Sequence, residues 1–145
     1  MTTDAERRAR NVAVVERYLE IIGTLDLDAL PSILHEEADL VLPYAPPGIP
    51  GVISGKEAFV NWMNAMPGML SPLNFKASRV DTLGSDPDEV VAEYTGDATN
   101  LANGKPYRNT YIARVRMKDG LIVRYAEWFN PLVFNEAFGE VAVEA

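Results

Sequence analysis

The sequence predicts an α+β fold, with helices first and a mostly antiparallel sheet after them. Three observations carry this. Apolar residues recur at spacings of three and four in the first half of the chain. From Leu73 onward they alternate with polar residues instead. Residues 107–130 read as two alternating runs around Lys118-Asp119-Gly120, where Asp-Gly supplies the pair of positive φ angles a tight hairpin turn needs. Helices segregated from a run of hairpin-connected strands indicate α+β rather than a parallel α/β sheet.

Residues 4–23 carry Val12, Val15, Leu19 and Ile22 on one helical stripe with Tyr18 beside it, and Gly23 is the expected stop. Asp26 or Asp28 is placed to cap a short second helix running through Leu34, which leaves His35 at a charged helix end. Leu40, Leu42 and Tyr44 alternate as a short strand. Residues 45–55, rich in proline and glycine, are expected to lack regular structure. Residues 56–66 form the third expected helix, with Phe59, Trp62, Met63 and Met66 on one face.

Residues 75–83 then read as a strand and residues 84–88 as a turn. Val90, Ala92, Tyr94, Gly96 and Ala98 share the inner face of the next strand. In the closing hairpin Tyr107, Asn109, Tyr111, Ala113, Val115 and Met117 are expected inside. After the turn Val123, Tyr125, Glu127 and Phe129 are expected inside, opposite Arg124, Ala126 and Trp128. Pro131 ends that strand, and a last helical turn or two follows.

At 145 residues the chain suits one domain, 1–145, with a single core. A net charge of −8 argues against nucleic acid or an anionic membrane surface as partner. There is no cysteine and one histidine, so no disulfide framework, no metal site and no cofactor is expected. The first residues lack the apolar stretch of a signal peptide and no membrane span is present, which makes a cytoplasmic location the expectation.

Glu127 is the residue that points to chemistry. A carboxylate among Tyr94, Tyr111, Tyr125 and Phe129 has its charged form disfavoured by desolvation, which raises its pKa toward working pH and suits it to acid–base catalysis. The structural alternative is an ion pair with Arg108 or Arg114. Asn109 is the second catalytic candidate, orienting a substrate carbonyl or holding Glu127; alternatively its amide satisfies buried backbone. Tyr18, Tyr44, Phe59, Trp62, Met66, Tyr94, Tyr111 and Phe129 are the expected pocket lining, although aromatic residues also serve any core.

The strand Asp39-Leu-Val-Leu-Pro43 after two helices, Ala45-Pro-Pro-Gly48 followed by Gly55-Lys-Glu-Ala58, and the closing hairpin with Glu127-Trp-Phe-Asn-Pro131 together resemble the nuclear-transport-factor-2-like superfamily, in its SnoaL-like and ketosteroid-isomerase-like branch. Asp86-Pro87, Glu93, Tyr107-x-Asn109-x-Tyr111-Ile112 and Glu127-x-x-Asn130-Pro131 are most similar to the phenazine-biosynthesis A/B proteins. The resemblance implies a cone-shaped barrel of three N-terminal helices on a curved sheet, a small-molecule ligand inside the cone, and a homodimer. In the phenazine-type proteins it also implies an acid–base role for the acid at Glu127. Two departures limit what carries over. Residues 40–54 hold no acid where ketosteroid isomerases place their base, and Tyr94-Thr-Gly96 stands where limonene-epoxide-hydrolase-like members place an Arg-x-Asp pair. Asn130 occupies the place of an aspartate common in SnoaL-like chains, and an amide is no base. The implied activity is an isomerase, cyclase or dehydratase; the alternative is a binding protein or dimeric scaffold without turnover.

Overall fold

The computed structural model describes residues 2–139. Helix α1, Asp4–Thr24, opens on a capping box in which the Thr3 hydroxyl accepts from the Glu6 N–H and the Glu6 carboxylate receives the Thr3 N–H. It runs past the expected stop at Gly23 and is closed by Leu25 in the left-handed region, φ 58°. Gly23 instead serves a close approach, since a Cβ there would lie 3.1 Å from the backbone nitrogen of Phe75.

A 3-10 turn, Leu27–Ala29, leads into the single-turn helix α2, Leu30–Ile33; neither receives a side-chain cap from Asp26. The chain then turns into strand sooner than the spacing predicted. Strand β1 is Leu34–Val41, so His35 lies in a strand and not at a helix end. Its Nδ1 accepts the Glu37 N–H at 3.0 Å. The proline-rich segment is not wholly irregular either, because β2, Val52–Ser54, pairs antiparallel with β1. Backbone pairing with an existing strand needs no local propensity, which is why the sequence hid it. Helix α3, Lys56–Asn64, and a 3-10 turn, Met66–Gly68, complete the first half.

Strands β3 (Lys76–Leu83), β4 (Asp86–Thr99), β5 (Pro106–Lys118) and β6 (Leu121–Phe129) form the antiparallel run, and helix α4, Pro131–Phe138, follows. The six-stranded sheet has the order β2-β1-β6-β5-β4-β3 and is mixed, because β1 pairs with β6 in parallel. Alternate residues of β4 and β5 are buried from Val90 to Ala98 and from Tyr107 to Met117, as the period-two pattern requires.

The hairpin between β5 and β6 departs from simple alternation. Asp119 and Gly120 take φ 54° and 79°, as a two-residue turn demands, so Lys118 faces Leu121 and Met117 faces Ile122. Farther along, Arg116 faces Arg124 and Val115 faces Tyr125. Val123 is thus an extra residue, a β-bulge, and the fully buried Ile122 holds the inward place expected of Val123. The bulge restores inward parity to Tyr125, Glu127 and Phe129.

The core joins α1 (Val15, Tyr18, Leu19, Ile22) to the inner face of β4, β5 and β6. Among the described residues no helix is long and apolar enough to cross a membrane.

Candidate active site

A cavity of about 150 Å³ lies between the inner face of the sheet and the helices. Its wall is formed by Tyr18 and Ile22 of α1, Trp62 and Met63 of α3, Tyr107 and Tyr111 of β5, and Glu127 and Phe129 of β6. Met66, Met69, Leu70, Leu73 and Phe75 add the side after α3, and Phe134 and Phe138 of α4 add another. Glu127 is the one carboxylate in this wall, and no lysine, arginine or histidine lines it among the described residues.

Strand parity sets Glu127 across from Ala113, with Tyr125 and Phe129 two residues away on the same face. The Tyr94 hydroxyl donates to Glu127 Oε2 and lies 2.7 Å from the Tyr125 hydroxyl. Burial pushes the Glu127 carboxyl up to about 7, against the hydrogen bond from Tyr94, which acts to lower it. The same burial raises Tyr18, Tyr94, Tyr111 and Tyr125 well above the ordinary phenol value, so these side chains remain neutral donors. Tyr18 stacks on Tyr125 with ring centroids 4.1 Å apart. Its hydroxyl makes no hydrogen bond to any described residue and is a spare donor near Glu127.

Neither arginine considered as a partner reaches Glu127. Arg108 pairs with Asp97 at 3.2 Å and Arg114 with Glu89 at 3.1 Å, both on the outer face. Asn109 is buried but stands off the cavity wall. Its Nδ2 donates to the Tyr107 hydroxyl and the Asn130 carbonyl, and its Oδ1 accepts the N–H groups of Thr110 and Asn130. All four of its bonds are made within the protein, so it positions Tyr107 and the end of β6 rather than facing a ligand. Asn130 caps α4, accepting the Leu132 N–H at 3.0 Å.

Of the eight expected lining residues, Tyr18, Trp62, Met66, Tyr111 and Phe129 reach the cavity. Tyr44 does not. Strand β1 ends at Val41, the chain turns at Pro43-Tyr44, and the ring is 60% exposed on the outside. Phe59 is wholly buried, edge-on to Tyr18, as core behind the wall. Tyr94 also stands behind the wall, where it holds Glu127. Reasoning from sequence missed the contribution of α4, although Phe134 and Phe138, four residues apart on a helix, present one aromatic face.

Comparison with known proteins agrees with this architecture. The family model described as "SnoaL-like domain" matches residues 15–125. The chain belongs to the SnoaL-like family. Among curated relatives, this SnoaL-like chain is 37% identical over 125 residues to the uncharacterized protein YesE of Bacillus subtilis, covering 86% of this chain and 84% of that one. It is 33% identical over 132 residues to an uncharacterized PhzA/B-like protein of Pseudomonas aeruginosa, covering 91% and 92%, in line with the phenazine-type motifs of the last third. A solved Bacillus subtilis structure, of a protein to which isomerase activity has been ascribed, superposes with a TM-score of 0.83 at 31% identity over 96% of this chain and 97% of that one. The nuclear-transport-factor-2-like fold of this SnoaL-like chain also hosts unrelated chemistry. An epoxide hydrolase of Mycobacterium tuberculosis shares it at 17% identity with a TM-score of 0.71, over 92% of each chain.

Proposed function

We propose that this chain is an acid–base enzyme that moves a proton on a small carbonyl-bearing molecule held in the cavity, as an isomerase, cyclase or dehydratase does. The observation that carries the reading is Glu127, a carboxyl raised to about 7 and turned to a wall that holds no other charged group. A group with its pKa near working pH both takes and returns protons without a large thermodynamic penalty in either direction. In this reading the Glu127 carboxylate removes a proton from carbon next to the carbonyl. The spare Tyr18 hydroxyl donates to the carbonyl oxygen as negative charge develops there, a role a neutral phenol fills in a water-poor site. Tyr94 and Tyr125 hold the carboxyl in place. Glu127, now protonated, returns its proton at a second carbon to complete an isomerisation, or to a departing hydroxyl to complete a dehydration.

The cavity in this reading is the interior of the cone, and the functional unit is a homodimer through the outer sheet face. That face is mixed rather than uniformly solvated. The half-buried Trp128 and the exposed Ile112 and Tyr44 surround a shallow depression on it, and aromatic anchors beside arginines are common in interfaces.

The test is deuterium incorporation, followed by NMR, into a panel of small cyclic ketones and enones incubated with the protein in D2O. The parent is expected to exchange protons next to the carbonyl of at least one compound, and Glu127→Gln none. Exchange by neither protein, with binding intact, makes the chain a binding protein instead.

A further inference from the structure

The cavity wall restricts what its ligand is. We infer that the ligand is a molecule with a single six-membered ring, one carbonyl or hydroxyl group and no anionic group, so that carboxylates and phosphates are excluded. The part concerning the polar group rests on the acid–base reading above; the parts concerning size and charge rest on the wall alone.

Size comes first. About 150 Å³ is the volume at which an apolar protein cavity takes up one benzene-sized ring. Trp62, Phe75, Tyr111 and Phe129, with Met63 and Met66, supply flat and adaptable surfaces around that space. A fused bicyclic ring would have to displace side chains that already pack on one another. Phe75 sits 4.8 Å from Tyr94 and 5.3 Å from Tyr111, centroid to centroid, and Phe134 sits 4.7 Å from Phe138.

Charge follows from the same wall. An anionic ligand gives up its water on entry and needs a cation or several converging donors in return. No lysine, arginine or histidine lines the cavity among the described residues. Residues 140–145, Glu-Val-Ala-Val-Glu-Ala, contain no basic side chain that could supply one. Of the sheet's arginines, Arg79, Arg108, Arg114 and Arg116 pair with Asp81, Asp97, Glu89 and Asp86, and Arg124 is exposed on the outer face opposite Arg116. Glu127 itself repels a second carboxylate whenever it is ionised. The polar groups the wall does offer are the Glu127 carboxyl and the hydroxyls of Tyr18, Tyr107 and Tyr111. The Tyr107 hydroxyl already accepts from Asn109. Glu127 and the hydroxyls of Tyr18 and Tyr111 therefore remain to meet one oxygen-bearing group.

Ligand-observed NMR titrations at pH 8, on the parent and on Glu127→Gln, test this with three probes: cyclohex-2-en-1-one, cyclohexanecarboxylate and the bicyclic 1-tetralone. Cyclohexenone is expected to bind both proteins saturably, and cyclohexanecarboxylate at least about 100-fold more weakly to both, because the missing cation is a property of the wall and not of Glu127. Met66→Lys, which adds a cation to the wall, is expected to recover at least about tenfold of the lost carboxylate affinity. Carboxylate binding within threefold of cyclohexenone, tetralone binding as tightly as cyclohexenone, or no saturable binding of cyclohexenone would each overturn the inference. Parent protein that binds cyclohexenone selectively but exchanges no proton refutes only the enzymatic reading. Turnover of a ring carboxylate refutes only this one.

Discussion

The Tyr94 hydroxyl donates to the Glu127 carboxylate from behind the cavity wall. The Tyr94 oxygen is 2.7 Å from the Tyr125 hydroxyl, so Glu127 is held by one neutral phenol, itself backed by a second, and by no cation. Such a support stabilises the ionised carboxyl less than an arginine would, which leaves burial in control of its protonation.

Tyr94→Phe removes the one hydrogen bond that lowers the Glu127 pKa, so the carboxyl is expected to titrate above its present value of about 7. The acidic limb of any pH–rate profile moves up with it. Stability falls by about 1.5–3 kcal/mol at pH 8, where the lost bond went to a charged group, and by less at pH 5. A purely structural role for Tyr94 predicts equal losses at both pH values and no movement of the profile.

Glu127 makes folding pH-dependent in a defined window. Its folded pKa, about 7, lies above the ordinary value of 4.5, so the native state binds this proton more tightly than the unfolded chain. Its contribution is fully favourable below pH 4.5, declines as pH rises through 7, and is flat beyond. The decline is about 3 kcal/mol. Asp86 and Asp88 are shifted downward, chiefly by backbone hydrogen bonding in the first case and by the Arg7 guanidinium in the second, so they act at lower pH. Urea titrations at pH 5 and pH 8 are expected to show this fall in the parent and not in Glu127→Gln, which at pH 8 is as stable as the parent or more so.

Gly96 sits on the buried face of β4, where an added Cβ would lie 3.1 Å from ring carbons of both Phe75 and Tyr111. Gly96→Ala is expected to cost about 1–3 kcal/mol and to press both rings into the cavity. Lower affinity for cyclohexenone, accompanied by ring-proton shifts of Phe75 and Tyr111 in the free protein, is the expected signature.

The amide of Asn100 is buried and donates to the Ala137 carbonyl at 3.0 Å, and Asn103 donates to the same oxygen at 3.1 Å. Together they tie down α4, whose Phe134 and Phe138 wall the cavity. Replacing both with alanine leaves that carbonyl without these donors at about 1–3 kcal/mol. Faster amide hydrogen exchange confined to residues 131–138 is the expected result; uniform exchange across the sheet would contradict it.

Trp128→Glu puts a charge in the centre of the proposed dimer face. Sedimentation of the parent at micromolar concentration is expected to give a dimer, and the variant a monomer with unchanged helix and strand content. A monomeric parent would remove the dimer from the proposal.

Much of the site was legible because strand parity is a local rule. Tyr111 and Glu127 could be placed inside from alternation alone, and both line the cavity. What stayed hidden depends on contacts between distant segments. Strand β2 exists because β1 offers it an edge, and Tyr44 leaves the wall because the chain turns at Pro43. Asn109 was legible as a buried amide, but its four internal hydrogen bonds, two of them to Asn130, could not be known before the end of β6 was located. The helices differ in the same way. The stripe on α1 was long enough to announce itself, whereas α2 is a single turn and gave way to strand at Leu34.

The extra residue at Val123 also means that this hairpin counts its residues twice, once from the turn and once from the cavity, with the two counts differing by one. Were the offset lost while the turn stayed fixed, Trp128 would enter the interior and Glu127 would leave it. Arg124 guards against that mistake, because the same slip would bury its guanidinium opposite Val115 with no counter-charge. A chain shortened by deleting Val123 has only one count and reaches the same inward set without a kink. It should therefore fold with Glu127 in place, which makes the surplus residue a matter of strand curvature rather than of chemistry.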